Sequence, residues 1–244
     1  MPPEKKKLTM NVGSNSRPSA PYCAVPKVGD QEASRHHVIP YPRLGEFWNT
    51  LILQSHYNAE ITPLTEAIKK NLDCYGTKFS DLQRRDLGAL LDKLPTYQHD
   101  PSGDPPGTGS AWDDFQEIYC WLPGNLFVGP PDALRSNPPG KGDIEPKACE
   151  AIISVERYDK LRSTDLNMRD YISAPTQARA HTIITVFKET LAGAFATVTP
   201  YNADQWKKVN GKYEIRPLTR NIEPLPPAAK KLKVRGYVDL EIEI

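Results

Sequence analysis

The sequence predicts an α+β protein on three observations. Apolar residues recur at helical spacing between positions 44 and 94, a charged and then an apolar helical segment occupy 154 to 196, and strict two-residue alternation runs from 232 to 244. Residues 1–30 mix lysines with Pro, Ser, Asn and Gly and carry few large apolar side chains, so a flexible or draped arm is expected there. From 44 to 57, Phe47, Trp48, Leu51, Ile52 and Leu53 make a stripe wider than a surface helix needs, which predicts a largely buried helix. A second helix is expected to start with Thr62 as N-cap and Pro63 at its first position, and to stop near Gly76. A third begins at Ser80, which forms a capping box with Gln83, and carries Leu87, Leu90, Leu91 and Leu94 before Pro95.

Residues 97–110 hold too many breakers for either element and read as loop, as do 125–146. Between them, the aromatic and branched residues of 115–121 predict a short strand ending at Pro123 and Gly124. Residues 154–171 and 182–196 are expected as two helices, the second with small residues that permit close packing. Leu232, Val234, Val238, Leu240, Ile242 and Ile244 then alternate with polar neighbours, the period of a half-buried strand, and no internal repeat is present.

With 244 residues, 39% hydrophobic and 25% charged, the chain is long enough to bury a substantial core, and 24 prolines against 15 glycines predict long ordered loops. No apolar run reaches the roughly 20 residues of a membrane span, since 182–198 is interrupted by Lys188 and Glu189. The lysine-rich start lacks the apolar run of a secretory signal, so a soluble protein is expected, cytoplasmic in its producer and exported, if at all, by a signal-independent route. Cys23, Cys74, Cys120 and Cys149 are too far apart for a zinc knuckle and are expected as reduced thiols. A net charge of +1 argues against broad electrostatic binding of nucleic acid. Yet Lys207, Lys208, Lys212, Arg216, Arg220, Lys230, Lys231, Lys233 and Arg235 face only Asp204, Glu214 and Glu223, a candidate phosphate-binding surface or an ordinary solvated face.

The strongest chemical signal is His36-His37 in Ser-Arg-His-His-Val-Ile-Pro. Adjacent histidines do different work only where a bend re-aims one of them, and Val38, Ile39 and Pro40 favour a rigid extended exit. His36 can then ligate a cation while His37 serves as a base near neutral pH; the bland alternative is two loop histidines bonded to backbone. His56 reads as a satisfied boundary histidine, His99 as a loop residue, His181 as a helix-start residue, and Trp48, Trp112, Trp121 and Trp206 as core.

These residues resemble the His-Asn-His nucleases of the ββα-metal fold, in particular toxin-type members whose motif begins His-His-aliphatic-Ile-Pro. The resemblance implies His36 as metal ligand, His37 as the base that activates water, and Asn125, in Trp-Leu-Pro-Gly-Asn-Leu, as a second ligand or as the residue that fixes the loop. It implies an open site for a divalent ion, Mg²⁺ first, a nucleic-acid substrate with DNA ahead of RNA, and an antibacterial effector with a dedicated inhibitor protein in the producer. The long separation from His37 to Asn125 requires a helical insertion over about 44–94 within a core of 31–150, leaving 151–244 as a helical pair and a basic, strand-ending region. No histidine follows Asn125 before His181, so Asp132, Asp143 and His99 are the substitutes for a third ligand, and Arg135 is a candidate phosphate clamp. Two other readings stand beside this one: a noncatalytic protein that binds an acidic partner through the region from Lys207 onward, and a different metal-dependent hydrolase using the same histidines.

Overall fold

Helix α1 (Tyr41–Leu51) carries Pro42 in its first turn, where a missing N–H costs nothing, and turns Tyr41, Leu44, Gly45, Phe47, Trp48 and Leu51 inward. A computed structural model describes residues 3–12, 18–22, 25, 27, 32–75, 78–193 and 195–217. Trp48 is fully buried among Tyr57, Trp112, Phe115 and Tyr119, and its indole N–H donates to the Leu8 carbonyl at 2.6 Å. The N-terminal residues are drawn down onto this helix. Leu8 and Met10 are buried, Asn49 pairs its amide with both the N–H and the C=O of Met10 at 2.8 Å, and a β-carbon at Gly45 would run into Val12. Strand β1 (Lys5–Lys6) completes the attachment by pairing in parallel with β3 (Gln98–His99).

Helix α2 (Tyr57–Lys70) starts earlier than the sequence suggests. Thr62 is not its cap and Pro63 is not its first residue: both lie inside, and Pro63 forfeits the bond that its position would give to the Ala59 carbonyl. Burial of Tyr57, Ile61, Leu64, Thr65 and Ile68 at helical spacing outweighs that loss. After the single turn α3 (Leu72–Tyr75), α4 (Asp81–Lys93) opens on the expected capping box, with Ser80 and Gln83 bonded reciprocally.

Residues 115–121 correct the strand expectation, since they belong to helix α5 (Ala111–Cys120). The window that begins at Phe115 hides the helical period: Ala111, Trp112, Phe115, Ile118 and Tyr119 together form one face, all buried, and Asp113 and Asp114 suit the first turn. The all-loop expectation for 125–146 is corrected as well, by the buried strand β4 (Leu126–Gly129), which pairs antiparallel with β2 (Ser34–His37). Beyond it, a short turn α6 (Glu150–Ile153) leads into α7 (Val155–Ser173), capped by Ser154, and α8 (Gln177–Leu191), which begins five residues before the expected start. The hairpin β5 (Trp206–Val209) with β6 (Lys212–Ile215) is the last described element, so the strand expected over 232–244 lies outside the described residues.

The architecture is mixed helix and sheet. α2 packs on α8 and α4, α8 on α7, and α1 between α7 and α5, while the sheets are three separate two-stranded ladders among the described residues. Among those residues no helix is long and apolar enough to cross a membrane. Trp48→Ala is expected to cost about 3–5 kcal/mol of stability, the range for deleting a large buried aromatic, and Trp48→Phe clearly less. Urea unfolding measures the cost. Hydrogen exchange at Met10 should speed up in both variants, because both release the Leu8 carbonyl.

Candidate functional site

In the β2–β4 ladder His36 stands opposite Phe127 and His37 opposite Leu126. Successive strand residues face opposite ways, so the His36 ring lies on Phe127, with centroids 5.1 Å apart, and the His37 ring against Trp121 at 4.5 Å. At the strand end both rings nonetheless border one cleft of about 450 Å³, which Tyr41, Asp132, Lys141, Asp143 and Glu145 also line. His37 Nε2 is 2.8 Å from the Cys120 carbonyl. A carbonyl can only accept, so Nε2 carries the proton and the lone pair of the neutral ring is on Nδ1.

Asn125 joins the histidines through the backbone. Its Oδ1 accepts from Ile39 N–H at 2.7 Å, its Nδ2 donates to the Ile39 carbonyl at 2.9 Å, and its own carbonyl accepts from Val38 N–H at 2.9 Å. Asn125, far from the histidine pair in sequence, thus meets the two residues that follow that pair at one strand exit. The same bonds correct the ligand assignment: buried and committed at both polar atoms to Ile39, Asn125 fixes the loop and leaves no side-chain atom for a cation.

His36 is buried, with Nε2 2.9 Å from the Pro130 carbonyl and 3.1 Å from Ser34 Oγ. Its Nδ1 is 3.2 Å from Asp132 Oδ1. The hydrogen bond from His36 holds the Asp132 carboxyl below its usual range against the opposing effect of burial, with Arg135 adding to it. Arg135 is not the phosphate clamp the sequence suggested. It is buried in a two-pronged pair with Glu145 at 2.7 and 2.8 Å and lies over the rings of Trp206 and Phe127. Burial alone would lower its pKa; the hydrogen bonds and charge of Glu145, with Asp132, raise it. Glu145 N–H in turn donates to the Val38 carbonyl, and Tyr158 donates to the Glu145 carbonyl.

Of the other candidates, Asp132 and Asp143 reach the cleft, whereas the Nδ1 of His99 accepts from Leu8 N–H on the β1–β3 ladder. His56 bonds the Tyr171 hydroxyl, and His181, inside α8, pairs with Glu60 of α2, neither at the cleft. Within the described part of the basic C-terminal run, Lys207 pairs with Glu214, Lys208 lies over Tyr213, Lys212 bonds the Ala133 carbonyl and Arg216 bonds the Trp206 carbonyl. That part braces the 132–136 loop; the remaining cations lie outside the described residues. Cys74, Cys120 and Cys149 are free thiols. Sequence reasoning missed Glu145 and Lys141, which sit in a Pro/Gly-rich stretch with no periodicity to mark them, and missed that Trp121 serves as the wall against His37.

No group of three or more His, Cys, Asp or Glu side chains gathers as a metal cage among the described residues. Removing one member of the buried Arg135–Glu145 pair strands the other, so Arg135→Met is expected to cost about 3–5 kcal/mol. The double variant Arg135→Met with Glu145→Leu should recover most of that loss in urea denaturation. Additive losses would show that the pair is not the unit described.

No family model matches the chain, and no solved structure matches it. It is 26% identical over 191 residues to protein p9 of Acyrthosiphon pisum secondary endosymbiont phage 1, a match that takes in 71% of this chain and 50% of the phage protein. The chain therefore spans half the length of that relative.

Proposed function

We propose that the chain is a divalent-cation-dependent nuclease of the ββα-metal type, hydrolysing phosphodiester bonds of nucleic acid. The observation that carries the reading is the 3.2 Å separation of His36 Nδ1 and Asp132 Oδ1 while His36 Nε2 is committed to the Pro130 carbonyl. A proton on Nδ1, or the Arg135 guanidinium 3.5 Å from Nδ1 and 3.4 Å from Oδ1, offsets the repulsion between a lone pair and a carboxylate oxygen, and a divalent cation held by the same two atoms would offset it as well. Two ligand atoms at about 2.1 Å from one ion and at right angles to each other lie about 3.0 Å apart, so the pair matches the bite of a divalent cation. One imidazole and one carboxylate suit an ion that keeps most of its waters, as Mg²⁺ does, and do not suit a closed structural zinc site.

His36 and Asp132 would hold the ion, which when bound would neutralise phosphate charge and stabilise the leaving oxygen. Arg135 and Glu145 orient that pair. His37 takes the proton of the attacking water at Nδ1 while the Cys120 carbonyl fixes its tautomer and Trp121 its plane. Lys141, on the cleft rim in the turn closed by Asp143 N–H on the Gly140 carbonyl, meets a flanking phosphate in the role first given to Arg135. β2 and β4 supply the two strands of the motif. The helix that supports them is α7, which reaches the 123–126 turn through Arg157 and Glu145 through Tyr158.

Purified protein should cleave plasmid DNA or RNA only with a divalent ion, and chelator should stop cleavage without melting the fold. His37→Ala should lower the rate by roughly 10²–10⁴-fold and leave metal affinity in place, whereas His36→Ala and Asp132→Asn should lose both. Lys141→Ala should raise KM and reduce the salt slope by about one. Absence of divalent-dependent cleavage of either nucleic acid, or full rate in His37→Ala, ends this reading.

A further inference from the structure

Arg157 is a guanidinium that the proposed chemistry does not touch. It is buried on α7, and each of its three nitrogens is hydrogen-bonded, none of them to a carboxylate. Nε donates to the Gly124 carbonyl at 2.7 Å, Nη2 to the carbonyls of Leu126 and Thr197 at 3.1 Å and of Pro123 at 3.3 Å, and Nη1 to Thr199 Oγ1 at 2.9 Å. An ordinary stabilising arginine is paired with a carboxylate or lies at the surface; a buried cation solvated by carbonyl dipoles is a costly arrangement. Burial pulls its pKa down to about 10, which leaves it charged at neutral pH, and the neighbouring Cys149 thiol, pushed well up by burial, offers no counter-charge.

The placement of these bonds is informative. Pro123, Gly124 and Leu126 bracket Asn125 on both sides, and the Leu126 carbonyl is shared with Thr199 N–H. The turn is also pressed against α8, since a β-carbon at Gly124 would strike Thr190 and the Phe195 carbonyl. Held in this way, the turn can present Asn125 to Ile39 in one orientation only. We propose that Arg157 is a positioning residue of the His36–His37 site: it holds the 123–126 turn so that the Asn125 amide engages Ile39 and sets the exit of the histidine strand. Its catalytic consequence rests on the nuclease reading; its effect on the turn does not. Lysine cannot replace it, because a single ammonium cannot span five acceptors spread across a plane.

The test compares the full chain with R157K, N125A and the double variant. Amide exchange at Ile39, whose N–H is taken by Asn125, is read against Leu90 in α4 and Phe187 in α8. R157K should speed exchange at Ile39 by about tenfold or more while Leu90 and Phe187 hold, the pattern of a local opening. Plasmid cleavage should lose about 10²-fold in kcat, the scale of a small misplacement, with KM little changed. In the N125A background R157K should then remove little more, because both act through one clasp. Faster exchange at all three amides together, or losses that multiply in the double variant, would reduce Arg157 to a stabilising residue and overturn the proposal. Should R157K fail to fold, T199V removes one acceptor only: selective acceleration at Ile39 supports the proposal, and uniform or absent acceleration overturns it. A wild type that cleaves nothing ends the nuclease reading and leaves the exchange test of Arg157 intact.

Discussion

The amide of Asn125 on the backbone of Ile39 is the interaction on which the site depends. The two residues are 86 apart in sequence, and the side chain supplies one acceptor and one donor to the one N–H and one C=O that Ile39 must satisfy on leaving the sheet. Each such bond contributes only about 0.5–1.5 kcal/mol net, but leaving a buried partner unmet costs the desolvation of that group, so the clasp is far more expensive to break than to make. Val38 is bonded on both sides, by Asn125 through its N–H and by Glu145 through its carbonyl. Residues 36–39 therefore have one backbone path, and the histidine rings inherit it. Asn49, half-buried on α1, makes the same paired contact with the N–H and C=O of Met10.

Charge is arranged around this clasp in two ways. Arg135 is matched by Glu145 in a buried pair whose value is geometric more than energetic, since such pairs roughly break even against apolar replacements. Its effect is to set a fixed positive group 3.5 Å from His36 Nδ1 and 3.4 Å from Asp132 Oδ1. Arg157 instead meets carbonyl dipoles, and so adds a net positive charge beneath the turn that carries Asn125. Neither guanidinium is among the residues that line the cleft.

What was legible in the sequence followed from local rules. The Ser80–Gln83 box, the leucines of α4, the helix expected over 154–171 and the face of α1 are each set by neighbours within one or two turns. The Phe115 segment misled because aromatic content suggests a strand, while the residues that reveal a helical period begin four positions earlier, at Ala111. Thr62-Pro63 misled because a start signal was present where tertiary burial had already begun the helix at Tyr57. At the site, His36, His37 and Asn125 were legible as residue types, and the structure brings them to one strand exit. The assignment of Arg135 was not legible, because nothing local distinguishes an arginine that faces solvent from one that finds Glu145 across a turn. Asn125 as clasp and not ligand was likewise decided by the partner it meets at long range.

The same distances govern how the site can form. Helices α1 to α5 lie between β2 and β4, so pairing the two strands closes a loop that contains much of the core. Closing a long loop is costly before its contacts are in place and costs little once the intervening helices have packed, because they bring its ends together. A clasp worth a few hydrogen bonds could not gather 86 residues of open chain by itself. The helical body must therefore be built first, with Trp48 at the contact of α1, α2 and α5, and the strand exit is then finished by groups that fit only when the body is correct. On this order the His36–His37 geometry is available only in the fully packed protein, and partially folded chains carry the histidines without the arrangement that gives the two rings different surroundings.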